Sequence, residues 1–215
     1  MHFGDRLIKS THKIGNPLCV GLDPYLDKIP PLFQNGTMKP NDPRTALAVE
    51  TFLKAVVDLI VGKVAIIKPQ SAFFERLGWR GIKALDAIIQ YARGKDILVL
   101  MDAKRGDIGT TARAYAQTYL SKEAPLLSDA LTVNPFLGKD TLEPYLTEVN
   151  DNNRGLFILV KTSNPGSGDY QNVLVKNIPL YELIGKSLRS IASGYVGLAT
   201  GWSSIGIVVG ATYPE

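Results

Sequence analysis

The feature that most limits what this chain can fold into is a repeated one: six short apolar runs, each finishing in residues that donate, accept or change charge. The runs cover 18–23, 65–70, 97–104, 130–135, 156–162 and 206–212. Apolar runs this short, bounded by turn formers, predict buried strands. Between them, apolar residues at three- and four-residue spacing predict helices over 43–61, 79–92, 110–120, 141–149 and 180–192, with a short amphipathic helix over 1–10. Strands alternating with helices predict an α/β fold with a parallel sheet and outer crossovers, either an open doubly wound sheet or a (β/α)8 TIM barrel. An open sheet concentrates functional groups near one crevice, whereas a barrel collects them from the C-terminal ends of many strands. Polar endings on all six runs favour the barrel, as a single domain over 1–215.

Composition narrows the function. Lys and Arg number 24 against 20 Asp and Glu, a net charge of +4. The excess is spread along the chain with no basic block, so an anionic small molecule is expected as ligand and nucleic acid is not. Lys63 and Lys68 interrupt the promising apolar stretches, so no membrane span is expected. The first ten residues carry Asp5, Arg6 and Lys9 and lack a long apolar core, which argues against a signal peptide. Cys19 is the single cysteine, which excludes an intrachain disulfide and fits a reducing compartment, hence the cytoplasm. His2 and His12 lie away from every strand end and read as solvated; with no Cys/His cluster, no zinc site is expected. The patch 164–168 reads as a short mobile loop.

The strongest local cluster is Asp102-Ala103-Lys104-Arg105-Gly106-Asp107-Ile108, at the end of an apolar strand. Strand periodicity puts Asp102 and Lys104 on one face with Leu98 and Leu100. A lysine between carboxylates stays protonated, and carboxylates near an apolar core would be costly without it. The alternative is a surface ion-pair run with Asp107 or Thr110 as a helix cap. Lys68 ends another buried strand with Gln70 on its face, and a snorkelling lysine is the alternative there. Asp23 precedes Pro24, where an Asx turn would explain it equally well.

These residues resemble a family, the orotidine 5′-phosphate decarboxylases, and more closely its bacterial type 2 subfamily. The resemblance is carried by CVGLDP (19–24), IKPQSAFFERLG (67–78), MDAKRGDIGTTA (101–112), LTVNPFLGKD (131–140) and VKTSNPGSG (160–168), with VVGATYPE (208–215) as a weaker sixth segment. It implies an enzyme of de novo pyrimidine biosynthesis that converts orotidylate to uridylate and CO2 without cofactor or metal. It implies a charged tetrad of Lys68, Asp102, Lys104 and Asp107, with Asp107 reaching into the neighbouring subunit of a homodimer. Asp23 and Lys68 would touch the ribose hydroxyls, Ile108 and Thr111 would complete the partner's site, and Ser163 would face the pyrimidine edge. Lys104 would be the proton donor to C6.

One segment of the family pattern has no match. The family closes its barrel with two further βα units, which supply a Gly-rich loop and an arginine that grip the phosphate. Six strands leave a barrel with unpaired edges, so the expectation is an incomplete (β/α)8 barrel lacking its last two strands, a natural product that continues some tens of residues past Glu215, and a nearly inactive 1–215 chain. Two other readings stay open: a sugar-phosphate lyase of the same superfamily, usually dependent on Mg2+, and a non-catalytic barrel fragment.

Overall fold

A computed structural model describes residues 1–212; Tyr213, Pro214 and Glu215, the end of the sixth family-like segment, lie outside the described residues. Six parallel strands, β1 (Cys19–Leu22), β2 (Ile66–Pro69), β3 (Leu98–Arg105), β4 (Ala130–Val133), β5 (Gly155–Lys161) and β8 (Ile205–Val209), answer one for one to the six apolar runs. Two further strands, β6 (Leu174–Val175) and β7 (Ile178–Pro179), make a separate small hairpin. Its turn residues Lys176 and Asn177 both have positive φ, 50° and 65°, as a two-residue primed turn requires.

The main sheet runs β1-β2-β3-β4-β5-β8, each strand beside its sequence neighbour within the sheet. A doubly wound sheet would reverse its order at a switch point. This order never reverses, so the sheet curls in one direction as a half-barrel with β1 and β8 at its edges.

The helices are α1 (Phe3–Ile14), α2 (Thr45–Ile60), α3 (Ser71–Glu75), α4 (Gly78–Arg93), α5 (Gly109–Leu120), α6 (Glu143–Asn152), α7 (Ser167–Gln171) and α8 (Leu180–Ala192). The five expected from periodicity are α2, α4, α5, α6 and α8. Two were not expected: α3 and α7 have five residues each, too short to show a period, and α7 begins inside the patch read as a mobile loop. The amphipathic N-terminal helix runs four residues further than expected, to Ile14, and stops at Gly15, which takes φ 82°.

Two apolar clusters follow from strand alternation. On the outer face, Ile67, Val99, Met101, Leu131 and Ile158 pack against the apolar sides of the helices, including Val49, Leu85 and Leu120. On the inner face a smaller cluster joins Ile66, Leu98, Leu100 and Ala130 to Phe3 of α1, with Leu7 and Phe157 against it. Phe3 is 1% exposed and meets Phe157 edge-on at 6.2 Å. Helix α1 therefore plugs the N-terminal end of the half-barrel. Asp5 secures it by accepting from Thr200 Oγ1 at 2.6 Å, and Arg6 donates to Asp129 at 2.8 Å. His2 belongs to the same seal: its ring contacts the Tyr195 carbonyl at 2.9 Å and Ser204 Oγ at 3.0 Å. It is half-buried rather than solvated, because the plug brings the chain's start against the turn before β8, a contact no local pattern reveals. His12 is exposed as expected. Among the described residues no helix is long and apolar enough to cross a membrane.

Candidate functional site

At the end opposite the plug, polar side chains from β2, β3 and β4 converge at the strands' C-terminal ends. There Asp102, 4% exposed near the end of β3, is met by four donors. Lys68 Nζ from β2 reaches its Oδ2 at 2.8 Å, and Gln70 Nε2 reaches the same oxygen at 3.1 Å. Lys104 Nζ reaches Oδ1 at 2.6 Å, and Thr132 Oγ1 from β4 donates to that oxygen at 2.9 Å. A carboxylate with two ammonium groups and two neutral donors is held ionised. Burial by itself pushes Asp102 upward, but the hydrogen bonds and charges of Lys104 and Lys68 outweigh it and hold the carboxyl below its ordinary 3.8. Lys68 is the converse case: burial pulls it down, while the hydrogen bond and charge of Asp102, with Asp23 and Cys19 adding, raise it above 10.5.

Within one chain the centre is thus a carboxylate between two lysines, Lys68–Asp102–Lys104, rather than a lysine between two carboxylates. Asp107 Oδ1 accepts the Ile108 backbone N–H at 2.8 Å, and Asp107 makes no ion pair with a described residue. Ile108 is 62% exposed, and Thr111, in the first turn of α5, is exposed as well. Apart from that bond to Asp107, the side chains of Ile108 and Thr111 make no hydrogen bond to Lys68, Asp102 or Lys104 among the described residues. Asp23 sits exposed just past β1, close enough to Lys68 to contribute to its charge balance. Its carbonyl, not its carboxylate, closes a tight turn by accepting the Tyr25 N–H at 2.9 Å. Ser163 lies just past β5 beside the end of β8, where a Cβ on Gly210 would come within 2.9 Å of Ser163 Cα.

Simple alternation does not carry through to Lys104. Residues 102–104 form no ladder pairs with β4: Met101 pairs with Leu131, and pairing resumes only at Arg105 with Val133. Lys104 absorbs the excess length with φ 47°, a left-handed conformation uncommon for a residue with a side chain. Its ammonium still reaches Asp102, because the bulge turns the backbone while the long side chain folds back.

Thr132 and Gln70 complete the constellation, and sequence reasoning assigned neither a role toward Asp102. Gln70 had a signal, its period-two spacing from Lys68. Thr132 had only its place in an inward-facing register. Arg105, next to Lys104, turns away to pair with Glu75 and to lie over the Tyr115 ring at 5.2 Å. Among the described residues no group of three His, Cys, Asp or Glu side chains is gathered so as to hold a metal ion.

Comparisons with known proteins bear on the chain as a whole. Residues 16–215 match the model of the orotidine 5′-phosphate decarboxylase / HUMPS family. An orotidine 5′-phosphate decarboxylase of Rhodopirellula baltica is 38% identical over 219 residues, covering 100% of this chain and 72% of the relative. One from Streptomyces coelicolor is 44% identical over 172 residues, covering 80% of this chain and 59% of the relative. A crystal structure of a candidate orotidine 5′-phosphate decarboxylase from Streptomyces avermitilis superposes with a TM-score of 0.85 at 38% identity, covering 99% of this chain and 70% of that one. With nearly its whole length matched, and with the lysine–aspartate centre at the strand ends, the chain belongs to the orotidine 5′-phosphate decarboxylase / HUMPS family.

Proposed function

We propose that this protein is an orotidine 5′-phosphate decarboxylase, a carboxy-lyase that converts orotidylate to uridylate and CO2 in pyrimidine biosynthesis. The observation that carries the reading is the Lys68–Asp102–Lys104 centre, with a partly exposed Lys104 side chain held by a buried carboxylate that cannot readily take up a proton.

In this reaction the bond between C6 and its carboxylate carbon breaks, CO2 departs, and the electron pair stays on C6 in the plane of the ring. A proton then replaces the lost group. Lys104 is the residue suited to both tasks. Its side chain is 43% exposed, so it can reach a substrate, and its positive charge lowers the cost of the developing carbanion. A unit charge pair about 4 Å apart in a partly solvated site interacts by on the order of 4 kcal/mol, enough to dominate the local balance. Lys104 then donates an N–H proton to C6 and regains one from solvent. Asp102 holds Lys104 in place and sits against the departing carboxylate. Lys68, with Asp23 nearby, binds the ribose hydroxyls, and Ser163 meets the pyrimidine edge. The chemistry asks for no cofactor.

Asp107, Ile108 and Thr111 are proposed to act across a two-fold interface, completing the partner's site in a homodimer. The exposure of Ile108 and Thr111, and the lack of any lysine partner for Asp107 among the described residues of its own chain, support this. The sheet is proposed to be six strands of a (β/α)8 barrel forming one domain, since the space between the edges β1 and β8 is where further parallel strands would close it. A cytoplasmic site of action suits the free, exposed thiol of Cys19.

The test is a spectrophotometric assay of orotidylate decarboxylation by the full-length protein, with and without a chelator, beside Lys104→Ala. Decarboxylation that survives chelation and falls by well over the ~10²–10⁴ of a single acid–base group in Lys104→Ala is expected. A Lys104→Ala variant that keeps a tenth of the wild-type rate sinks the assignment. Activity lost to the chelator would instead favour a metal-dependent sugar-phosphate lyase of the same superfamily.

A further inference from the structure

We infer that Thr132 is a positioning residue for this reaction: its hydroxyl ties the left-handed backbone of Lys104 to the carboxylate of Asp102, so that the two groups beside the reacting carbon move as one unit. The inference rests on the decarboxylase reading above.

The geometry starts from the register. Residues 102–104 of β3 bulge past the single residue Thr132 of β4, so their backbone groups lose the regular ladder at this point. The Lys104 N–H would be left without a strand acceptor. Thr132 Oγ1 accepts it at 2.9 Å and donates its own hydrogen to Asp102 Oδ1 at 2.9 Å. One hydroxyl has one proton to give and lone pairs to receive, so both bonds are made without competition. Thr132 is 2% exposed, which keeps water from substituting for it.

The same oxygen of Asp102 also accepts from Lys104 Nζ at 2.6 Å. Backbone N–H, hydroxyl, carboxylate and ammonium therefore close a ring that begins and ends at Lys104. A residue with φ 47° has an easier conformation to fall into, and the bond from its N–H to Thr132 opposes that change. If the ring opens, Lys104 keeps its charge and its tether to Asp102, but its ammonium loses a defined position relative to C6.

Three full-length proteins test this: wild type, Thr132→Val, which keeps the branched shape and removes the hydroxyl, and Thr132→Ser, which keeps the hydroxyl. Thr132→Ala replaces the valine variant if that one does not fold. Two quantities are measured: hydrogen exchange of the Lys104 amide by NMR, and kcat and KM for orotidylate. In Thr132→Val the Lys104 amide is expected to exchange at least tenfold faster. Its kcat is expected to fall about 100-fold, the scale of a misplacement near 1 Å, with KM little changed. Thr132→Ser is expected to restore both to near wild type.

Unchanged Lys104 exchange in Thr132→Val overturns the clamp. Faster exchange with unaltered kcat overturns its catalytic relevance, and failure of serine to rescue points to packing and overturns it too. A wild-type protein that does not decarboxylate orotidylate would remove the activity reading, while the exchange data would still judge the clamp.

Discussion

A carboxylate as buried as Asp102 survives in the folded chain only because every direction around it holds a donor. Lys68, Gln70, Lys104 and Thr132 supply them from three adjacent strands. The folded pKa of Asp102 lies below its ordinary 3.8, so its ionised form favours the folded state at every pH above about 4. That contribution disappears as acid titrates the carboxylate through its depressed folded value. Asp102→Asn should therefore flatten the pH dependence of stability below about pH 4, as followed by urea denaturation at a series of pH values. An acid limb identical to wild type would show that the lysines do not govern this carboxyl. At this scale the closeness of Asp102 to Lys104 and the position of Lys68 at a strand end were legible, because charged residues closing apolar strands are conspicuous. Thr132 was not, since a threonine in a strand is an ordinary β-former whose hydroxyl acquires meaning only when a bulge on the next strand leaves an N–H to satisfy.

The elements were read with different success for reasons of length. Strands of four to eight residues and helices of ten or more carry enough periodic positions to declare themselves. The five-residue α3 and α7 do not, and the hairpin β6–β7 joins two-residue strands through a turn without glycine, so neither alternation nor turn chemistry announces it. Helix α1 was legible as amphipathic but not as a plug. Its Phe3 fits because Gly155 at the start of β5 has no Cβ to strike the ring. Phe3→Ala empties that socket. It should cost about 3–5 kcal/mol in denaturant unfolding, the usual penalty for a buried aromatic, while the Asp102 centre at the opposite end of the sheet keeps its geometry. A loss under about 1 kcal/mol would mean that α1 is not part of the cooperative core.

For the whole molecule the proposed two-fold symmetry can be tested directly. If Asp107 serves the partner's site, each site in a two-fold dimer draws Lys104 from one chain and Asp107 from the other. Lys104→Ala and Asp107→Ala homodimers would then each be inactive. In a heterodimer both defects fall in one composite site and the other site is whole. Mixing the two variants under conditions of demonstrated subunit exchange should restore activity, approaching half of the wild-type activity per heterodimer. Exchange without any recovery would refute the trans role and return Asp107 to its bond with the Ile108 N–H.

Apolar runs, helical spacing and the placement of charge at strand ends determined by themselves that this chain alternates strands and helices and that charged side chains gather around Asp102 and Lys104. Those are local properties, set by which residues must be buried and which cannot be without a partner. Whether the sheet doubled back or curled was a question of strand order, and only the pairing of each strand with its neighbour in sequence decided it. The tertiary structure also decided that Asp102 lies between two lysines, because Lys68 and Asp102 stand 34 residues apart and meet only across parallel strands. It decided the left-handed turn at Lys104 too, since a bulge exists only relative to the strand it is measured against, and Thr132 lies on that strand.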